Sequence, residues 1–131
     1  MNKQLQARML AAARRAAANA YAPYSGFRVG AAIQDEQHRI HSGCNVENAS
    51  FGLTVCAERA AIARAVCSGA KAIKAVLVFT DTEQPTPPCG ACLQTIAEFG
   101  RNPDIILATP ARTRRLKLSD LLPERFVLKK D

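Results

Sequence analysis

Three cysteines and a glutamate dominate the chemistry this chain can offer. Cys56-Ala57-Glu58-Arg59 is followed, after a gap long enough for a helix and a strand, by Pro88-Cys89-Gly90-Ala91-Cys92. Three thiolates fall one short of the four ligands that tetrahedral zinc prefers, and a site left open at the fourth position is the catalytic kind. Glu58 stands two residues past the first of these cysteines. Its carboxylate is placed to work on a water at that position. The pattern reads as a zinc hydrolase that activates water.

A closed, structural zinc would need a fourth protein ligand. His38 and His41, the two histidines, fall in or beside a polar turn, the ordinary place for such residues, and Cys44 is no better placed. Zn–S bonds of about 2.3 Å put sulfurs roughly 3.8 Å apart, a separation Cys89 and Cys92 reach within one helical turn. Cys56 must then tie a second helix to the first. Three thiolates on one divalent cation leave a net negative charge, which Arg59 offsets if its guanidinium donates to the sulfurs.

The surrounding pattern supplies the elements that would bring these groups together. Residues 2–19 are helical, with Leu5, Met9, Ala12 and Ala16 on one face, and stop at a Pro- and Gly-marked loop over Tyr21–Gly26. Phe27–Ile33 reads as a strand of small residues in which Gly30 marks a close backbone approach. A polar turn over Asp35–His38 leads to its hairpin partner, Ile40–Val46. Thr54–Ser68 forms a helix ended by Gly69, Ile73–Thr80 a buried strand, and Cys89–Phe99 a second core helix closed by Gly100. Asp104–Ala108 is another buried strand, Leu116–Leu118 an edge, and Ser119–Leu122 a capped turn.

A hairpin followed by alternating helix and strand predicts a single three-layer α/β/α domain over residues 1–131, with a five-stranded mixed sheet. Both cysteine-bearing helices follow strands. Their N-termini therefore meet at one sheet edge, where open α/β folds place ligands and where helix ends favour thiolates.

Composition narrows the setting. A chain of 131 residues, 48% of them hydrophobic and without Trp, suits one compact domain. No apolar run approaches the roughly 18 residues of a membrane span. Arg14 and Arg15 interrupt the apolar stretch a secretory signal needs. The Ala- and Arg-rich, acid-free composition of the first twenty residues also suits a mitochondrial transit peptide, but the stretch reads foremost as an ordinary first helix. Five cysteines without a secretory signal favour metal chemistry over disulfides and a cytoplasmic location, with Cys44 and Cys67 packing as small hydrophobes. The net charge of +7 is scattered, and the cluster Arg112, Arg114, Arg115 and Lys117 lacks interleaved aromatics. It reads as a solvated face rather than a nucleic-acid surface.

Cys-Ala-Glu-Arg with Pro-Cys-Gly-Ala-Cys resembles the zinc-dependent nucleoside and nucleobase deaminases. Tyr21–Ala32 (YAPYSGFRVGAA), Asn45–Ser50 (NVENAS) and Leu121–Phe126 (LLPERF) narrow the resemblance to the short, three-cysteine, homotetrameric cytidine deaminases. That resemblance implies one zinc per chain on Cys56, Cys89 and Cys92, and Glu58 as proton shuttle. It implies that Asn45 and Glu47 hold the ribose hydroxyls, that Phe27 packs on the base, and that N–H groups near Ala57 meet the pyrimidine carbonyl. It also implies that Phe126 enters a neighbouring subunit's site. Asn45 and Glu47 share one face of an extended strand, and an amide with a carboxylate suits a sugar diol. The implied reaction is deamination of cytidine and 2′-deoxycytidine. The alternatives are a modified nucleoside such as blasticidin S and, from another class, a basic nucleic-acid-binding or editing protein. Phe51 stands where the family often has Tyr, and Leu93 where Arg is usual; both bear on affinity and rate rather than on the reaction class.

Overall fold

The computed structural model describes residues 1–128. Among them the strands form one mixed five-stranded sheet in the order β2-β1-β3-β4-β5. The strands are β1 (Val29–Asp35), β2 (Ile40–Cys44), β3 (Ile73–Thr80), β4 (Asp104–Ala108) and β5 (Thr113–Lys117). β3 and β4 run parallel, and the remaining neighbours are antiparallel. Helix α1 (Lys3–Ala18) covers one face; α2 (Ala57–Cys67), α3 (Gly90–Phe99) and the short α4 (Leu118–Leu121) cover the other.

The two faces follow from the strand alternation. Val76, Val78, Ile105 and Leu107 pack toward α2 and α3, while Ala75, Leu77, Phe79 and Ile106 pack toward α1. Small residues let the helices approach closely. A Cβ at Gly30 would lie 1.8 Å from the Ala13 carbonyl oxygen of α1, and one at Gly43 would lie 2.4 Å from the Ala61 nitrogen of α2. The approach expected at Gly30 is therefore present, and a second one stands at Gly43.

Helix ends are set by local chemistry. Asn2 Oδ1 accepts from Leu5 N at 2.7 Å and starts α1. At the end of α2, Ala70 N donates to Ala65 O and Gly69 N to Val66 O, with Gly69 at φ 96°. That double closure needs a left-handed residue, which is why Gly follows Ser68.

Several elements differ from the expectation. The buried stripe of α1 runs through Met9, Ala12, Ala13 and Ala17, and Ala16 is only half-buried. An alanine-rich helix offers little contrast between its faces, and packing on β1 chooses the seam. The C-terminal edge is a full strand, Thr113–Lys117, whose Arg114, Arg115 and Lys117 are exposed. Charge on an edge strand discourages further strand pairing. Cys67 is exposed and Cys44 half-buried, so neither is a core hydrophobe.

The polar turn is the larger surprise. Asp35 is 0% exposed and His41 is buried beside it. Asp35 Oδ1 accepts from Gln37 N at 2.8 Å and Arg39 N at 2.9 Å, and Oδ2 accepts from Arg39 Nε and His41 Nε2, each at 2.8 Å. Burial alone would raise this carboxyl; the donors from His41, Arg39 and Gln37 outweigh it and bring the pKa from 3.8 down to about 2. A depressed carboxylate stabilises the fold above its unfolded pKa and loses that contribution as pH falls through the folded value. Asp35→Asn is therefore expected to be less stable than wild type in urea at pH 6. The gap should close as pH falls from 3.8 toward about 2. A gap independent of pH would show that the ionised carboxylate is not what holds this turn.

Candidate active site

β2 and β3 point the same way, because each pairs antiparallel with β1. The chain leaves both at one edge of the sheet, and α2 and α3 begin there. Cys56 precedes α2 in extended conformation, and its carbonyl accepts from Ala60 N at 3.0 Å. Cys89 does the same for α3, with Leu93 N at 2.9 Å. Cys92 follows within the first turn of α3. Among the described residues, Cys56, Cys89 and Cys92 are the group of possible metal ligands, with their sulfurs all within 4.8 Å of one another. Cys89 Sγ and Cys92 Sγ are 3.6 Å apart. Tetrahedral zinc–thiolate geometry asks for about 3.8 Å.

The electrostatics of these groups fit a cation. The backbone N–H of Cys92, helped by that of Ala91, holds the Cys89 thiol below its usual range. Cys92 is pushed far up, first by burial and then by the Glu58 carboxylate. Three sulfurs this close cannot all be thiolates without a compensating positive charge, and a soft divalent ion with thiolate preference supplies it. Arg59 provides part of the compensation. Its Nη2 donates to Thr54 O at 3.2 Å and lies 3.7 Å from Cys56 Sγ, and that contact with Cys56 keeps the guanidinium firmly protonated. Arg59 Nε is buried with no hydrogen-bond partner among the described residues.

Glu58 is 5% exposed, on the first turn of α2 and against Cys92. Burial raises its carboxyl above the ordinary range. Ala57, the first residue of α2, is fully buried at the same helix end. The three cysteines, Glu58 and Arg59 thus come together, and Ala57, which the resemblance names, lies at the same helix end.

Asn45 and Glu47 are brought alongside by backbone pairing. Val46 exchanges two 2.9 Å hydrogen bonds with Val55, next to Cys56, while Tyr21 N donates to Asn45 O and Glu47 N to Tyr21 O. Both side chains are also engaged with the 24–29 loop. Asn45 Oδ1 accepts from Val29 N at 2.9 Å, and its Nδ2 donates to Phe27 O at 2.8 Å. Glu47 accepts from Tyr24 N, Ser25 N and Ser25 Oγ. This loop-holding role is not visible in the sequence, because the partners are 16 or more residues away. Phe27 is partly exposed, and Phe126 projects outward at 68% exposure. Phe51 is 75% exposed and meets Tyr24 edge-on. Leu93 is buried in the core behind the cysteines.

An open three-thiolate site with a buried carboxylate, at the edge of an α/β/α sandwich, defines a zinc hydrolase of the deaminase type. The profile described as "Cytidine and deoxycytidylate deaminase zinc-binding region" matches residues 3–109, and the chain belongs to that family. It is 42% identical over 121 residues to a cytidine deaminase of Sporosarcina psychrophila, covering 91% of this chain and 89% of that one. It is 42% identical over 116 residues to the cytidine deaminase of Mycobacterium tuberculosis, covering 88% and 85%. The crystal structure of cytidine deaminase from Burkholderia pseudomallei superposes with a TM-score of 0.87 at 39% identity, covering 96% of this chain and all of that one.

One zinc per chain on Cys56, Cys89 and Cys92 makes a direct metal measurement decisive. Cys89→Ala is expected to lose most of its zinc, whereas Cys44→Ala and Cys67→Ala keep it, as read by elemental analysis of purified protein. Full occupancy in the Cys89 variant would contradict the ligand set.

Proposed function

We propose that this chain hydrolytically deaminates cytidine and 2′-deoxycytidine to uridine and 2′-deoxyuridine, releasing ammonia. The observation that carries this reading is the buried Glu58 carboxyl held against the three-sulfur cluster, in a chain similar to proteins named cytidine deaminases. Cys56, Cys89 and Cys92 would hold the zinc, which when bound supplies the Lewis acidity that makes water reactive near neutral pH. Glu58 takes a proton from the attacking water, gives it to ring N3 as C4 is attacked, and carries the next to the departing amine. Arg59 offsets the thiolate charge.

Asn45 and Glu47 would hold the ribose hydroxyls, and their grip on the 24–29 loop would also set Phe27 against the base. N–H groups near Ala57 would meet the pyrimidine carbonyl. A carboxylate in the sugar pocket disfavours a phosphate, so a nucleoside is the substrate and CMP a poor one. Residues 1–131 would act as one domain in a cytoplasmic homotetramer that serves pyrimidine salvage, with each Phe126 reaching a neighbour's site. The exposed apolar side chains of Tyr21, Tyr24, Val46, Phe51 and Leu53 support burial against other subunits.

An ultraviolet assay against cytidine, deoxycytidine, cytosine, CMP and blasticidin S tests the substrate class, with turnover of the two ordinary nucleosides expected. Preference for blasticidin S, or equal efficiency on CMP and cytidine, would redirect it. Glu58→Gln should keep fold and zinc yet lose at least the roughly 10²–10⁴-fold worth of a general acid–base group; near wild-type turnover would reduce Glu58 to a helix-start residue. Sedimentation should give a tetramer, and a fully active monomer would rule out shared sites.

A further inference from the structure

The C-terminal segment is attached to α3 in an unusual way. Gln94 Nε2 donates to Phe126 O at 2.9 Å, and Phe126 N donates to Gln94 Oε1 at 3.3 Å. One side-chain amide thus pairs in both directions with one backbone residue, as a neighbouring strand would. The residue before it is anchored as well. Arg125 Nη1 donates to Ala97 O at 3.0 Å and Gly100 O at 2.9 Å, the carbonyls left open where α3 ends. Apolar packing contributes little here. Phe126, Val127 and Leu128 are all exposed, and a cavity of about 320 Å³ is lined by Gln94, Ala97 and Glu98 of α3 together with the 125–128 segment.

We propose that Gln94 is a positioning residue for Phe126: its two-way amide pairing, with Arg125 as second anchor, sets the Phe126 ring relative to the helix that carries Cys89 and Cys92. Gln94 lies on α3 two residues beyond Cys92, so the Phe126 that each subunit would offer to its neighbour is held out by its own metal-bearing helix. The chemistry explains the residue type. Gln carries a donor and an acceptor on one planar group at this reach; Glu would repel the Phe126 carbonyl, and Lys or Arg could not accept from its N–H. The proposal rests on the reading that Phe126 stands at a substrate site.

The test is a double-mutant cycle on cytidine kinetics with Gln94→Leu, Phe126→Ala and the double variant, with zinc content and melting temperature as controls. A displaced aromatic contact is worth about tenfold in affinity. Gln94→Leu and Phe126→Ala should therefore each raise KM about tenfold while kcat changes much less, and the double variant should be no worse than Phe126→Ala alone. Wild-type kinetics in Phe126→Ala would overturn the reading of Phe126 and this proposal with it. Impaired Phe126→Ala beside unchanged Gln94→Leu, or strictly additive effects, would overturn the role of Gln94 alone. Should Gln94→Leu fail to fold, Gln94→Glu loses the donor and sets a carboxylate against the Phe126 carbonyl, so its KM should also rise; an unchanged KM overturns the proposal. Amide exchange at Phe126 should be slowed in wild type and faster in Gln94→Lys, which removes the acceptor of its N–H, and equal rates count against the proposal.

Discussion

Repulsion among three sulfurs held within 4.8 Å, relieved by positive charge, is the constraint on which the arrangement depends. Each source of that charge has a structural address. The N-terminus of α3 turns the Cys92 and Ala91 N–H groups toward Cys89, Arg59 closes one side, and the metal supplies the remainder. Moving either helix by one turn, about 5.4 Å, would separate the sulfurs beyond the reach of one ion. The site is therefore a statement about where two helices begin.

Those starting points are enforced by the sheet and by the lack of side chains at two positions. α2 can sit on the β1–β2 hairpin because Gly43 leaves room for the Ala61 backbone, and α1 backs the same strands because Gly30 leaves room for Ala13. At the opposite end of α2 the hairpin turn holds on through polar contacts. Arg39 donates to Ser68 O, while Glu36 accepts from the Lys71 and Ala72 nitrogens. The buried Asp35 with Arg39 and His41 keeps that turn in shape. A turn far from the cysteines thus helps to fix the axis of the helix that carries Glu58.

Beside the cysteine cluster, polar side chains hold a neighbouring segment of backbone. Asn45 and Glu47 bind residues 24–29 within a single chain. Substitutions there therefore disturb loop geometry, apart from any effect on the sugar contacts proposed for them. The apolar side chains left exposed near this loop and at the C-terminus gather on surfaces that a single chain does not cover.

Cys56, Glu58, Cys89 and Cys92 were legible from spacing alone, because ligand chemistry and helix periodicity are local properties of the chain. β3 and β4 were equally legible, since short apolar runs bounded by polar residues have few other ways to be buried. Other features depended on partners distant in sequence. Asp35 and His41 read as turn polarity, and only the packing of the hairpin against α2 buries them as a pair. The buried stripe of α1 could not be chosen within a run of alanines until β1 selected it. Gln94 fits the pattern after the last cysteine, but its partner, the Phe126 backbone 32 residues away, is not visible in the sequence. Local periodicity and ligand chemistry determined which residues could do chemistry; long-range hydrogen bonds and close helix–sheet contacts, set only when the chain is folded, decided how those residues are held.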